Sequence, residues 1–187
     1  MALRRLTVAL FGVIALIAAA VIGMTGPASA AGGAQGFAAQ AERAGLTEQQ
    51  ADGLQQRVDR HLEMYGGTQT AANKIELAGK GEIVAVVPGE QYARNLADAP
   101  GAMADCPYED FCMFTGTDFT GDQFNLWQCG TYDLQNWNGP GSWINNQTPG
   151  TQAQFLDQAG TVIDVTPGAY SDSPYYDWAP VWHVVPC

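Results

Sequence analysis

The chain has 187 residues, with 19 acidic residues against eight lysines and arginines, which gives a formal net charge of −11 at pH 7. Phosphate backbones and anionic lipid surfaces repel so acidic a chain, and its composition therefore argues against nucleic acid and membrane surfaces as partners. The length is sufficient for one domain of ordinary size and a smaller appendage.

Residues 1–30 have the composition of a secretory signal peptide. Two arginines near the start precede an apolar run over residues 9–22, and Ala28-Ser29-Ala30 places small residues where a signal peptidase cleaves. The apolar run is about 14 residues long, short of the roughly 20 that a transmembrane helix needs. We therefore expect cleavage after Ala30 and a secreted, extracellular protein that is not anchored in a membrane. Six basic and 19 acidic residues would remain, a net charge of −13.

The next two segments predict a small N-terminal region. Residues 31–45 are rich in Ala and Gly and are expected to be disordered. In residues 46–94 we expect a helix followed by a β-hairpin. Thr47 and Gln50 have the spacing of a capping box, apolar residues then recur at helical spacing, and Gly66 ends the helix.

The hairpin is predicted from two short strands, residues 72–78 and 82–87, joined by a Gly-Lys-Gly turn. A helix and a hairpin of this size cannot bury a strong core alone. The region must therefore dock on the rest of the chain, pair with another chain or act as a detachable pro-region, and the sequence leaves all three open. Residues 95–104 have the composition of a linker.

Residues 105–187 form a second unit that contains 15 of the 19 aromatic residues, including all five tryptophans. Short aromatic runs alternate with turn signals such as Asn138-Gly139-Pro140-Gly141 and Thr148-Pro149-Gly150. This rhythm predicts about six to eight short strands in a sandwich or barrel. The unit should therefore be all-β.

This second unit has ten acidic residues and no Lys or Arg, so burial, hydrogen bonds and cross-links must stabilise it. An even number of cysteines in an exported protein predicts two disulfides. Of the three possible pairings we favour Cys106–Cys112 and Cys129–Cys187. The second closes a loop of about 59 residues, which the chain-entropy model values at roughly 4 kcal/mol.

An aromatic-x4-aromatic-x-Gly pattern occurs at Phe114, Phe119 and Gly121, and Ser142-Trp143 follows about twenty residues later. In a folded-over hairpin this spacing places both rings on one face. The glycine permits a backbone conformation that a Cβ would block, and a buried serine hydroxyl can bind backbone groups. The pattern resembles the βγ-crystallin Greek-key motif.

A weaker second copy of the motif begins at Phe155, so the resemblance implies a double Greek-key sandwich. The run Cys106-Pro-Tyr-Glu-Asp-Phe-Cys112, followed by the same motif, resembles secreted actinobacterial proteins of the Streptomyces metalloproteinase inhibitor family. The resemblance covers residues 105–187. It implies a crystallin-like fold and an extracellular protease, or another protein, as the partner.

An inhibitor of this kind needs a rigid exposed loop, because preorganisation lowers the entropy cost of binding. Two turn-rich segments are candidate inhibitory loops. Their residues are Asn136, Asn138, Gly139, Pro140 and Gly141 in the first, and Ser171, Asp172, Ser173 and Pro174 in the second.

Two other binding functions are alternatives. Asn138 and Ser142 form a weak candidate calcium site, because crystallin-like domains bind this ion through oxygen ligands before the motif serine. No other cofactor is expected. Glycan or cell-wall binding is the second alternative, because aromatic side chains that stack on sugars cluster near the C-terminus: Tyr170, Tyr175, Tyr176, Trp178 and Trp182.

Catalysis has little support in this sequence, and we expect that the protein is not an enzyme. His183 is the single histidine of the second unit, and its neighbours Trp182 and Val184 suggest a structural place in a strand. No zinc-protease, serine-hydrolase or phosphate-binding motif is present.

Overall fold

The computed structural model describes residues 28–97 and 105–187. Residues 1–27, which make up most of the predicted signal peptide, lie outside the described residues. The described chain has two helices, α1 (Ala28–Arg43) and α2 (Glu48–Tyr65). Its strands are β1 (Thr68–Ala71), β2 (Lys74–Glu76), β3 (Gly81–Val84), β4 (Phe111–Phe114), β5 (Gln123–Leu126), β6 (Tyr132–Asp133), β7 (Pro140–Asn145), β8 (Gln154–Leu156), β9 (Val162–Val165), β10 (Ser171–Asp177) and β11 (His183–Val185). Neither helix is long and apolar enough to cross a membrane.

Helix α1 occupies most of the segment that we expected to be disordered, so the prediction of disorder for residues 31–45 is wrong. The segment is rich in alanine, which has the highest helix propensity of all residues. Ala41 is buried and Phe37 packs against the same apolar cluster. Packing of this face against α2 therefore adds tertiary stabilisation to the local propensity.

Helix α2 begins and ends where the sequence predicts. Gln50 N donates to Thr47 Oγ1 at 3.3 Å, and Thr47 N donates to Gln50 Oε1 at 3.1 Å, which completes the capping box. Gly66 follows the last helical residue with a φ of +70°, and its N–H donates to the carbonyl of Leu62. The helix buries Leu54 on the side that faces the sheet.

Three strands follow α2, although the sequence predicted two. The predicted strands 72–78 and 82–87 correspond to the shorter strands β2 and β3, which pair with Ile75 opposite Ile83. Strand β1 was missed because Thr-Gln-Thr-Ala has no apolar run. It is the outermost strand and pairs only with β2.

The N-terminal strands continue into the sheet of the second unit. Strand β3 pairs antiparallel with β5, with Ile83 opposite Phe124, in a seven-stranded sheet of order β1-β2-β3-β5-β4-β7-β10. Of the three roles left open for this region, docking on the rest of the chain is the arrangement observed.

The start of the expected linker is also packed, because Leu96 is buried and its N–H donates to Asn73 Oδ1 at 3.3 Å. Residues 98–104 lie outside the described residues.

The C-terminal unit from residue 105 onward, which we call the β-domain, contains strands and no helix among its described residues, as predicted. A second sheet of four strands has the order β6-β11-β8-β9. Aromatic rings fill the space between the two sheets. Phe155 of β8 lies 6.0 Å from Phe111, 6.4 Å from Trp143 and 5.2 Å from Trp178, measured between ring centroids.

Two disulfides cross-link the β-domain, and they have the connectivity favoured from the sequence. The bond between Cys106 and Cys112 ties the segment before β4 to that strand. The bond between Cys129 and Cys187 spans 58 positions and ties the chain end, beyond β11, to the segment after β5. No free cysteine occurs in the described part of the chain.

Candidate protein-binding site

The connection between β4 and β5 folds over onto the sheet. The rings of Phe114 and Phe119 meet edge to face with centroids 5.6 Å apart. Gly121 has a φ of +85°, and a Cβ there would lie 2.3 Å from Thr115 Oγ1. Only glycine fits this position without displacing its neighbour. The three motif residues found in the sequence therefore lie close together, Phe114 at the end of β4 and the other two in the turn that follows.

Ser142 fastens this turn to strand β7. Its hydroxyl accepts a hydrogen bond from Phe119 N at 2.9 Å and donates one to the carbonyl of Gly116 at 2.7 Å. The side chain is fully buried. Trp143, the next motif residue, is buried in the aromatic core, and its indole N–H has no hydrogen-bond partner.

The hydroxyl of Ser142 is thus already donor and acceptor inside the protein, whereas the other candidate calcium residue, Asn138, is exposed. Among the described residues, no three His, Cys, Asp or Glu side chains are grouped to hold a metal ion.

The fold-over turn is also tied to α2 by a buried ionic cluster that the sequence analysis missed. Asp122 Oδ1 accepts from Arg57 Nη1 at 3.0 Å and from Val86 N at 2.8 Å, and Asp122 Oδ2 lies 2.9 Å from His61 Nε2. Burial alone would raise the pKa of Asp122. The hydrogen bond and charge of His61, with Arg57 and the Val86 N–H, outweigh burial and hold this pKa below its usual range. The four-residue spacing of Arg57 and His61 on one helix face was the available signal.

The first candidate loop, residues 136–141, packs against the end of α2. Trp137 is buried, and its indole N–H donates to the Tyr65 hydroxyl at 2.9 Å. Asn136 Nδ2 lies 3.2 Å from Met64 Sδ. Asn138 and Pro140 are exposed, but Gly139 is half-buried and Gly141 is buried. Pro140 and Gly141 already belong to β7, so only the first part of this segment is a loop.

The second candidate segment is a strand, which corrects its prediction as a loop. Ser171, Asp172, Ser173 and Pro174 are the first four residues of β10, and β10 pairs with β7 at the border of the seven-stranded sheet. A bulge interrupts the pairing between Ser173 and Tyr176. An extended conformation here follows from pairing with β7, a long-range contact that local turn-forming composition does not report.

Two local hydrogen bonds and one from the fold-over turn hold the exposed part of β10. Ser173 Oγ donates to the carbonyl of Tyr175 at 2.6 Å, and Asp118 N donates to the carbonyl of Pro174 at 2.7 Å. Ser171 Oγ donates to the Pro167 carbonyl at 3.0 Å. Asp172, Pro174 and Tyr175 are nevertheless exposed. The segment is an extended, accessible chain with a restrained backbone.

The C-terminal aromatic cluster divides into buried and exposed residues. Trp178 is buried between the sheets, and Tyr176 is half-buried beside it with ring centroids 4.9 Å apart. Tyr170, Tyr175 and Trp182 are exposed. The cluster is therefore partly core, and its five rings do not form one open platform.

His183 lies in β11, as predicted, and its Nδ1 is 2.7 Å from Asp133 Oδ1 on the adjacent strand β6. The aspartate is largely exposed, so this pair lies at the surface. It connects the last strand of the chain to β6.

Comparison with known families links the β-domain to inhibitors. Residues 99–161 match the model of peptidase inhibitor family I36, which confirms the resemblance to inhibitors found in the sequence. The family is one of inhibitors and not of enzymes, in agreement with the expectation of no catalytic activity. No curated protein and no solved structure matches the chain.

Proposed function

We propose that this protein is a secreted inhibitor of extracellular metalloendopeptidases. The match of residues 99–161 to the inhibitor family is the observation that carries the proposal. The two disulfides are typical of a protein exported to an oxidising environment. The peptidase is the partner, and no cofactor is needed.

We place the inhibitory contact on the exposed start of β10, from Ser171 to Pro174. A peptidase binds its substrate as an extended chain, and this segment is already extended and held by Asp118 and its own serine hydroxyls. Such preorganisation reduces the conformational entropy lost on binding and favours affinity without cleavage. The segment around Asn136 is the second choice, because its central Trp137 is buried against α2.

The fold proposed for the β-domain is crystallin-like, with Greek-key connections. Support comes from the contact of Phe114 with Phe119, the positive φ of Gly121 and the hydroxyl of Ser142 beneath the turn. The same contacts would hold the proposed inhibitory strand in place, since the backbone N–H of Asp118 in this turn donates to the carbonyl of Pro174.

The test is an inhibition assay of the oxidised protein, residues 31–187, against purified zinc metalloendopeptidases, with serine endopeptidases for comparison. We expect inhibition of at least one metalloendopeptidase at equimolar concentration. Pro174→Arg should weaken that inhibition about tenfold or more, because it places a bulky charged side chain at a close-packed contact.

Pro180→Arg is the matched control, since Pro180 is also exposed but lies in the turn after β10. It should inhibit as the parent protein does. Absence of inhibition across the whole panel would refute the proposed function. Equal inhibition by the Pro174 and Pro180 variants would remove β10 from the contact and leave the function standing.

Calcium binding through Asn138 and Ser142 and glycan binding stay alternative hypotheses from the sequence. Retention of the protein on insoluble polysaccharide in the absence of peptidase inhibition would favour the glycan alternative. A calcium-dependent rise in Tm would favour the calcium alternative.

A further inference from the structure

Exposed apolar side chains are concentrated in one short stretch of the described chain. Val162, Ile163 and Val165 are 45%, 43% and 43% exposed, and Tyr170 and Tyr175 are 66% and 64% exposed. We call these five residues the edge surface. Singly exposed apolar residues need no explanation, but a concentration of them marks an interaction site. The whole surface lies beyond residue 161, where the family match ends.

The edge surface lies where the two sheets come together at one border. Strand β9 is the last strand of the four-stranded sheet, and β10 is the last of the seven-stranded sheet. The hydroxyl of Tyr176 on β10 donates to Asp164 Oδ2 on β9 at 3.0 Å, which joins the two strands. Four of the five residues therefore lie on the two border strands of the sandwich, and Tyr170 directly precedes β10.

Features of both strands oppose pairing with a second copy of this chain. Pro174 has no N–H, and the bulge beside it interrupts the regular edge of β10. On β9 the Val165 N–H is already bound to Asp164 Oδ1 at 2.8 Å. A proline, a bulge and an inward charge are the means by which sheet borders avoid edge-to-edge association. The high negative charge of the β-domain adds repulsion between copies.

The chemistry of the border indicates a polypeptide partner with basic groups. Asp172 and Asp177 are exposed on β10, and the β-domain has no Lys or Arg to neutralise them. Basic groups around a cleft would complement this charge. Aliphatic side chains make up three of the five edge-surface residues. They pack against apolar side chains but cannot stack on sugar rings, which argues for a protein over a glycan.

We propose that the edge surface docks in a peptidase cleft lined by apolar side chains and bordered by Lys or Arg. This inference rests on the proposed function and extends its contact from the start of β10 to β9, Tyr170 and Tyr175. The aromatic and aliphatic side chains supply affinity, and the aspartates accelerate association and make binding weaken as salt concentration rises.

The experiment measures inhibition constants and direct binding by surface plasmon resonance for the oxidised protein, residues 31–187, against the same peptidase panel. Three variants are compared with the parent: Tyr175→Ala, the pair Ile163→Ser and Val165→Ser, and Tyr108→Ala. Tyr108 is 63% exposed and lies outside the edge surface, so it matches Tyr175 in residue type and exposure. A thermal melt of each variant checks folding.

We expect the two edge-surface variants to bind the inhibited peptidase about tenfold or more weakly, and Tyr108→Ala to bind as the parent does. Unchanged inhibition by both edge-surface variants would overturn the inference while leaving the proposed function intact. If the parent neither inhibits nor binds any peptidase, the proposed function fails and the inference fails with it. Loss of polysaccharide retention, or of a dimer seen by sedimentation, in these variants would assign the surface to another partner and also overturn the inference.

Discussion

His61 Nε2 lies 2.9 Å from Asp122 Oδ2, and this contact joins the helix of the N-terminal region to the fold-over turn of the β-domain. Asp122 directly follows Gly121, the motif glycine of that turn. The β-domain has no Lys or Arg of its own, so the charges that stabilise this buried carboxylate come from α2. The N-terminal region therefore supplies electrostatic partners as well as strands.

Asp122→Asn should lower the free energy of unfolding by about 3 kcal/mol, because removing one member of a buried ion pair leaves the others without a partner. The native pKa of Asp122 lies below its ordinary value. Its stabilising contribution is thus present above about pH 4 and is lost as the pH falls through the native pKa. Urea unfolding at neutral and acidic pH measures both effects. Asp118→Asn, an exposed acid in the same turn, is the control and should have little effect.

Asp110→Asn should stabilise the protein at neutral pH. Burial, with the charges of Glu82 and Glu109, raises the pKa of Asp110 to about 6. A carboxyl group whose native pKa is raised binds its proton more tightly when folded, so stability falls as the pH rises from about 4 to about 6. The variant should remove that fall and therefore be more stable than the parent above pH 7. Denaturant melts across this pH range should show parent and variant converging in acid. A variant that is less stable at pH 7 would contradict this reasoning.

Replacing Cys129 and Cys187 by serine should destabilise the protein more than replacing Cys106 and Cys112. The first pair closes a loop with a sequence separation of 58, and the second a loop with a separation of 6. The chain-entropy model values these cross-links at about 4 and about 2 kcal/mol. Thermal unfolding of both double variants under identical conditions measures the difference. Equal losses would show that strain or local packing, and not loop length, decides the effect.

Ser142→Ala should cost about 1–3 kcal/mol, because Phe119 N and the Gly116 carbonyl both lose their partner in a buried site. Ser171→Ala removes a hydroxyl with one exposed hydrogen bond and should cost much less.

Addition of millimolar calcium should leave the Tm of the parent unchanged, since both hydrogen-bonding roles of Ser142 are occupied within the protein. A rise in Tm with calcium that Ser142→Ala abolishes would instead support the calcium alternative.

Removal of residues 31–97 should prevent cooperative folding of the β-domain. The truncation would expose the edge of β5, which pairs with β3, and would leave Asp122 without Arg57 and His61. Near-ultraviolet circular dichroism of residues 105–187 is expected to show no fixed aromatic environment. A cooperative melt of this fragment close to that of the longer protein would instead favour a detachable pro-region.

The fold was predictable where local patterns decide it. The capping box of Thr47 and Gln50 predicted the start of α2, and Gly66 predicted its end, because both depend on backbone groups within one helical turn. The prediction of disorder for residues 31–45 was wrong because a composition rich in Ala and Gly does not show that Phe37 and Ala41 pack against a neighbouring helix. Strand β1 was missed for a similar reason, since its pairing with β2 is not encoded in its polar sequence.

The candidate site was predictable only in part. The spacing of Phe114, Phe119 and Gly121 predicted a turn, and the structure brings those residues together with Ser142. In the segment beginning at Ser171, Asp172 and Pro174 are exposed, but the place of the segment as a border strand depends on pairing with β7. Val162, Ile163 and Val165 gave no functional signal, because an apolar run normally predicts a buried strand.

The sequence by itself determined the export signal expected at its start, the aromatic all-β character of residues 105–187 and the inhibitor resemblance. These properties depend on composition and short-range spacing. Only the tertiary structure decided that the N-terminal strands extend the sheet of the β-domain, that Asp122 finds its charges on α2, and that β9 and β10 are each the end strand of one sheet. Each of these features arises from contacts between residues far apart in the chain, where burial and charge pairing outweigh local preference.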